Sequence, residues 1–398
     1  MLRPALWQGL TLRDLVNAAA IEAPSGGLIT DIGLDGRRLH FTARTLDHIA
    51  NRVARRLATA GAQKGDTVLI ALPNGAPALI ALLGALGAGL TPCLAAPTLD
   101  DNSIALALRR MKPRSIIAAR YPQFDPLSRF VGAARRLAMP LYVWNFGPSD
   151  HDHAAPLSDL LNGEAPARLL PLHPPTAGDG HILTLWDRGD GPEPVLHRQD
   201  ALLAQAMLAR LAQKTGHKPI ASALALTSQA GLILGPLRAL LTRTPLTMIA
   251  DPCMQHCQLA AAGGPTEWVL PAPLSAMLGS SLLFNTDACV TLTRIGATMT
   301  TSLSADFISF GEALTLPTIH RGDRLKPGPL TLSTPDGPLH FADLKTNLDG
   351  TLVLSSPLAG LLPDGEIAAP SLYATLQQDG AFAHFTPNPF SSKYGEAP

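Results

Sequence analysis

Cysteine is scarce, with four in 398 residues, and that count excludes a disulfide framework. Cys93 and Cys289 stand alone. Cys253, His256 and Cys257 lie close together in Cys253-Met-Gln-His256-Cys257. A closed zinc site usually takes four ligands, and no second CxxC or HxxxH pair follows. No metal is therefore expected, and the two thiols read as incidental. An excess of charge of either sign is also missing. Lys and Arg number 31, Asp and Glu number 31, and charged residues are 16% of the chain. That balance gives no global field for nucleic acid, which is not an expected partner. Gly (34) and Pro (36) together stay below the roughly 25–30% that marks low-complexity sequence. With 46% hydrophobic residues a sizeable core is expected, and a disordered chain or a collagen is excluded.

A long uninterrupted apolar run is lacking as well. Residues 67–98 carry no charge, but Pro73, Asn74, Gly75 and Pro77 break the stretch at one end and Gly87, Gly89 and Pro92 at the other. It reads as a buried strand (67–72), a helix (76–88) and a second strand (90–94), with no transmembrane segment. The first nine residues have no apolar leader core, so no signal peptide and a cytoplasmic location are expected.

What is present is alternation. Leu46, Ile49, Val53 and Leu57 share one face of a helix over 45–57, with Arg52, Arg55 and Arg56 off it. Helices at 102–111 and 130–138 alternate with strands at 115–119 and 141–144. Residues 146–180, rich in Pro, Gly, Asp and His, mark a boundary. A second block follows, with strands at 182–185, 220–226, 246–250 and 268–270 and helices at 200–214, 232–241, 257–262 and 274–278. From about 322, short strands at 329–333, 339–343 and 350–355 are separated by Pro-Asp-Gly and Leu-Asp-Gly turns. The expected fold is α/β: two αβ subdomains with mainly parallel sheets flanked by helices, and a small β-rich subdomain. The expected limits are 1–175, 176–320 and 321–385, with a loose tail at 386–398.

The order of motifs carries a resemblance. Thr11-Leu-Arg-Asp-Leu15, Gly36-Arg-Arg-Leu-His-Phe41, Gly61-Ala-Gln-Lys-Gly65-Asp66-Thr-Val68, Leu72-Pro-Asn-Gly75 and Leu83-Gly-Ala-Leu-Gly-Ala-Gly89 follow one another. This run resembles the N-terminal part of the adenylate-forming superfamily of acyl-CoA synthetases, nonribosomal adenylation domains and luciferases. The resemblance covers about residues 10–385 and implies the large domain of those enzymes. The family's hinge and lid domain, with its adenylation lysine, would begin about where this sequence stops.

The family's nucleotide motifs are present only in damaged form. Its phosphate loop, a Ser/Thr/Gly-rich turn ending in P-K-G, falls on Trp186-Asp187-Arg188-Gly189-Asp190-Gly191-Pro192-Glu193-Pro194. Small residues that bring backbone N–H groups to phosphate are replaced by bulky and acidic ones. Glu193 stands where the lysine belongs. A charge about 4 Å from phosphate is worth on the order of 4 kcal/mol at an effective dielectric near 20, so the reversal is costly. Arg188 and Arg198 could compensate only by folding back. In Thr227-Ser228-Gln229-Ala230-Gly231, Ser228 replaces the histidine of F-H-x-x-G. In Phe310-Gly311-Glu312-Ala313-Leu314, the magnesium glutamate of Y-G-x-T-E is lost and Glu312 is displaced by two positions. Leu372–Gly380 lacks the ribose aspartate.

The resemblance thus implies a degenerate nucleotide cleft at Trp186, Asp187, Arg188, Gly189, Glu193, Ser228, Gly231, Phe310, Gly311 and Glu312, with no catalytic residue and no metal. The expected function is that of a catalytically degenerate homologue, no longer an enzyme, acting as a binding or scaffold protein for an acyl group, an acyl carrier protein or a partner enzyme subunit. No cofactor is expected. The alternative is an active carboxylic-acid adenylating ligase that uses ATP and Mg and takes its lid from another chain. A third chemistry drawing on Ser228, His197, Asp187, Glu193 and Glu312 has no G-x-S-x-G elbow, and these read as ordinary polar residues.

Overall fold

Helix Ala76–Gly87 buries every residue but Pro77, and strand Thr67–Ala71 before it is buried beyond Thr67. The charge-free stretch therefore lies in the protein core. In the computed structural model the described residues are 10–23, 27–162, 180–187, 191–212, 218–262, 266–271, 274, 289–295, 299–300, 307–310, 312–317, 326–334, 337–347, 351–368, 372–376 and 382–387. Among them no helix is long and apolar enough to cross a membrane.

Two large sheets form the body. The first has the spatial order Ala155–Pro156, Tyr142–Asn145, Ser115–Ala118, Thr67–Ala71, Thr91–Leu94, His181–Asp187, Pro192–Arg198. Its pairs are parallel except the last, an antiparallel hairpin. The second runs Leu314–Pro317, Phe307–Phe310, Cys289–Ile295, Glu267–Pro271, Ile220–Ser222, Leu246–Ile249, Gly27–Ile32, Arg38–Thr42. It is parallel inside and antiparallel at both edges. Two small antiparallel sheets follow: Gly328–Thr334, Gly337–Thr346 and Leu352–Ser355, and Met299–Thr300, Phe382–Pro387 and Leu372–Leu376. The mainly parallel sheets with flanking helices and a small β unit are the expected class.

Membership of the sheets does not follow the sequence division at 175/176. The hairpin Gly27–Ile32 and Arg38–Thr42 enters the second sheet, with Ile29 opposite Leu246. Strands His181–Asp187 and Pro192–Arg198 enter the first, with Cys93 opposite Leu183. One hydrophobic core joins Val68 and Ile70 of the first sheet to Ile29, Leu246 and Met248 of the second. A second core joins Val195, Leu208 and Leu314 to Phe341, Leu344 and Leu354 of the small sheet.

Local chemistry fixes the element ends. Thr11 and Asp14 form a capping box at helix Leu12–Glu22, and Asp100 accepts the Asn102 and Ser103 amides at helix Asp101–Met111. Arg52, Arg55 and Arg56, off the apolar face of helix Ala43–Thr59, are half-buried. Arg56 Nη1 bonds Asp159 Oδ1 at 2.9 Å and the Pro156 carbonyl at 2.8 Å, tying segment 155–162 to that helix.

Candidate functional site

Three of the damaged motifs meet at one buried point. Glu312, 2% exposed, accepts the Gln229 amide at 2.8 Å and the Thr184 hydroxyl at 3.1 Å on the same Oε2. Thr184 Oγ1 also lies 2.8 Å from His197 Nε2. A hydroxyl has one proton, and here it points at Glu312, so Nε2 carries its own proton and donates to Thr184. Burial pushes the His197 imidazole down to about 3, which keeps it neutral. The network continues outward. Gln229 Nε2 donates to the Ala313 carbonyl, and Thr315 N donates to Gln205 Oε1 at 3.0 Å. Gln205 Nε2 in turn donates to the Leu358 carbonyl. Polar groups from the phosphate-loop strand, the F-H-x-x-G turn and the Y-G-x-T-E segment thus satisfy one another away from solvent.

The other expected residues have local roles. The described residues of the damaged phosphate loop lie on two antiparallel strands, in which Trp186 stands opposite Glu193. Trp186 is half-buried and packs against the core around Val195 and Leu314. Asp187 is exposed at the end of its strand. Glu193 lies 3.9 Å from Arg110 Nη1, and the same nitrogen donates to the Pro192 carbonyl at 2.9 Å. The cation facing the reversed charge is therefore Arg110, from helix Asp101–Met111. Arg198 turns to Asp200, with Nε donating to Oδ1 at 3.0 Å. Ser228 caps helix Gln229–Leu232, accepting the Gly231 amide at 3.1 Å and donating to the Ala225 carbonyl at 2.9 Å. A Cβ on Gly231 would stand 1.9 Å from that carbonyl oxygen, so only glycine fits there. Ser228 and His197 bond to different partners. Phe310 ends strand Phe307–Phe310. Arg188, Gly189 and Gly311 lie outside the described residues.

Sequence reasoning missed Thr184, Gln205 and Gln229. A signal existed for Gln205, an uncharged polar residue inside the apolar run Leu202-Leu-Ala-Gln-Ala-Met-Leu208.

A separate cavity of 720 Å³ opens where strands of both sheets end. Its wall is made by residues that follow the carboxyl ends of five parallel strands: Leu72–Asn74, Ala96–Thr98, Tyr121–Phe124, Ala225–Thr227 and Ala250–Pro252. Open α/β sheets bind ligands outside the carboxyl ends of their strands. The lining is mainly apolar, with Asp35, Asn74, Gln123 and Asp251 among its polar points. Asn74 Nδ2 donates to the Ile249 carbonyl at 3.0 Å, and its buried Oδ1 accepts no hydrogen bond among the described residues. Trp186, Asp187, Glu193, Ser228, Gly231 and Glu312 do not line this cavity.

Residues 28–157 match the family model described as AMP-binding enzyme. The luciferase-like enzyme of the mealworm Zophobas morio superposes with a TM-score of 0.73 at 14% identity, covering 96% of each chain. A benzoate CoA ligase of Burkholderia xenovorans LB400 superposes with a TM-score of 0.68 at 17% identity, covering 94% of this chain and 79% of that one. The chain shares the fold of these two proteins. A pseudomonine synthase of Pseudomonas entomophila (strain L48) is 31% identical over 140 residues, 35% of this chain. That match spans 22% of the synthase's length. The matched residues 28–157 hold much of the first sheet and part of the cavity wall, whereas the Thr184–Glu312 cluster lies beyond them.

Proposed function

We propose that this chain is a catalytically degenerate relative of the acyl-CoA synthetases, a binding or scaffold protein that carries out no nucleotide-dependent step. The observation that supports this most is the use of Glu312. Its Oε2 is taken by Gln229 and Thr184 in the protein interior. A carboxylate held there is not available to a phosphate-bound magnesium. The hairpin adds two further obstacles. Glu193 presents a negative charge where phosphate needs a positive one, and Pro192 and Pro194 supply no N–H. Adenylate formation depends on stabilising charge that develops on the phosphates, and these groups oppose it.

In this reading the protein works without a nucleotide cofactor in the cytoplasm, and its ligand is an acyl group, an acyl carrier protein or a partner enzyme subunit. The apolar wall of the 720 Å³ cavity suits a small organic group. A relative that is by name a synthase favours a biosynthetic setting for the partner.

The test is calorimetric titration of the purified protein with Mg-ATP, AMP and a stable acyl-adenylate analogue. Affinities in the millimolar range or absent are expected for all three. Micromolar binding of any of them would overturn the proposal in favour of an acid-activating ligase completed by a lid from another chain.

A further inference from the structure

Beside the cavity, where strand Leu246–Ile249 ends, Asp251, Cys253 and His256 each offer one ligand atom, and the three atoms lie within 4.8 Å of one another. The sequence pattern pointed to Cys253, His256 and Cys257, a set with too few donors. The fold adds a carboxylate that spacing alone did not suggest, and it turns Cys257 elsewhere. Cys257 is buried, with Sγ 3.8 Å from the Pro252 carbonyl oxygen. We infer that Asp251, Cys253 and His256 form a binding site for one divalent ion of the zinc class.

Four features carry this. The donor set is one carboxylate oxygen, one thiol sulfur and one imidazole nitrogen. That mixture suits zinc, whereas magnesium and calcium take oxygen shells. The backbone holds the three residues in place. Cys253 is the N-cap of helix Met254–Ala261, and its amide donates to the Asp251 carbonyl at 2.8 Å. His256 is oriented as metal-ligating histidines usually are. Its Nδ1 lies 2.8 Å from the same carbonyl oxygen, which can only accept, so Nδ1 carries the proton and Nε2 keeps its lone pair. Finally, Nε2 faces a glycine. A Cβ at Gly36 would stand 3.4 Å from it, and Gly36 has a φ of +74°, which other residues rarely adopt.

Metal bonds of about 2.0–2.3 Å require the three donors to draw together by roughly an ångström. Asp251 is exposed and Cys253 half-buried, so rotations of these two side chains achieve it. Binding converts the Cys253 thiol to thiolate and releases its proton to solvent. Three protein ligands leave a fourth position of a tetrahedron for water or a ligand donor. Asp251 also lies on the cavity wall, so an ion here, its charge balanced by the carboxylate and the thiolate, would set a Lewis acid at the edge of a mainly apolar chamber. The inference is independent of whether nucleotide binds.

The experiment strips the full chain with a chelator and titrates it with zinc against a chromophoric chelator. A parallel titration with cobalt(II) follows the thiolate charge-transfer band. One equivalent of zinc is expected, with a cobalt band that disappears in Cys253→Ser. His256→Asn and Asp251→Asn should each weaken zinc by at least about tenfold, and Cys257→Ser should leave it unchanged. Thermal melts of the metal-free variants matching the metal-free parent establish that they fold. Zinc binding no tighter than about 0.1 mM, or tight binding unchanged in Cys253→Ser and His256→Asn, would overturn the site.

Discussion

Asp31 is an acid inside the second sheet, 5% exposed, and one of its oxygens accepts no hydrogen bond among the described residues. Burial pushes its carboxyl up to about 7, with nearby Asp35 adding to the rise and a hydrogen bond from the Ala76 amide opposing it. The sign follows from linkage. Between the unfolded value near 4 and the folded value near 7, the folded chain holds a proton that the unfolded chain has lost. Stability from this group therefore falls as pH rises through that window and is flat above it. The slope contributed is at most about 1.4 kcal/mol per pH unit. Asp31→Asn should remove it. In urea unfolding, the variant should gain on the parent between pH 4.5 and 8, and a gap that stays constant with pH would contradict a buried protonated carboxyl.

At the scale of elements, one buried ion pair joins helix Arg238–Thr242 to strand Glu267–Pro271. Arg238 Nη2 donates to Glu267 Oε1, and Arg238 is fully buried. Removing one partner strands a charge, so Glu267→Gln should cost roughly 3–5 kcal/mol in denaturant unfolding. The double change Arg238→Met with Glu267→Leu should recover most of that loss, because no charge is then left unpaired. Elements differed in how plainly the sequence announced them. The strand, helix and strand of 67–94 were legible because a charge-free run broken by Pro and Gly has few other foldings. Strand Pro192–Arg198 was not legible, since Pro192 and Pro194 argue against a strand. It is tolerated as the edge of its sheet, where a missing N–H breaks no inner ladder. Strand Gly27–Ile32 was obscured by Asp31, a buried acid in an otherwise apolar pattern. The cluster around Glu312 was illegible for a different reason. Thr184, Gln205 and Gln229 are ordinary residues whose meaning depends on contacts 83 to 128 positions away in the chain.

At the scale of the molecule, the chain interleaves its two large sheets. Residues 27–42 complete the second sheet and residues 181–198 complete the first. A fragment of residues 1–175 would therefore carry a hairpin without its sheet and a sheet without its last two strands. Such a fragment should show collapsed amide dispersion by NMR, whereas the whole chain should give a dispersed spectrum and a near-UV circular dichroism signal of packed aromatics. A well-dispersed fragment spectrum would contradict the interleaved arrangement. The grip of Arg110 on the strand that carries Glu193 also limits what position 193 can hold. A lysine placed at 193 would meet Arg110 at close range, two cations where there is now a balanced pair. Any mutational path toward a basic residue there must first relocate Arg110. Even then, Glu312 would still be held by Gln229 and Thr184. Substitutions at 193 and at 110 are therefore coupled, and neither alone alters the contacts that hold the Glu312 carboxylate.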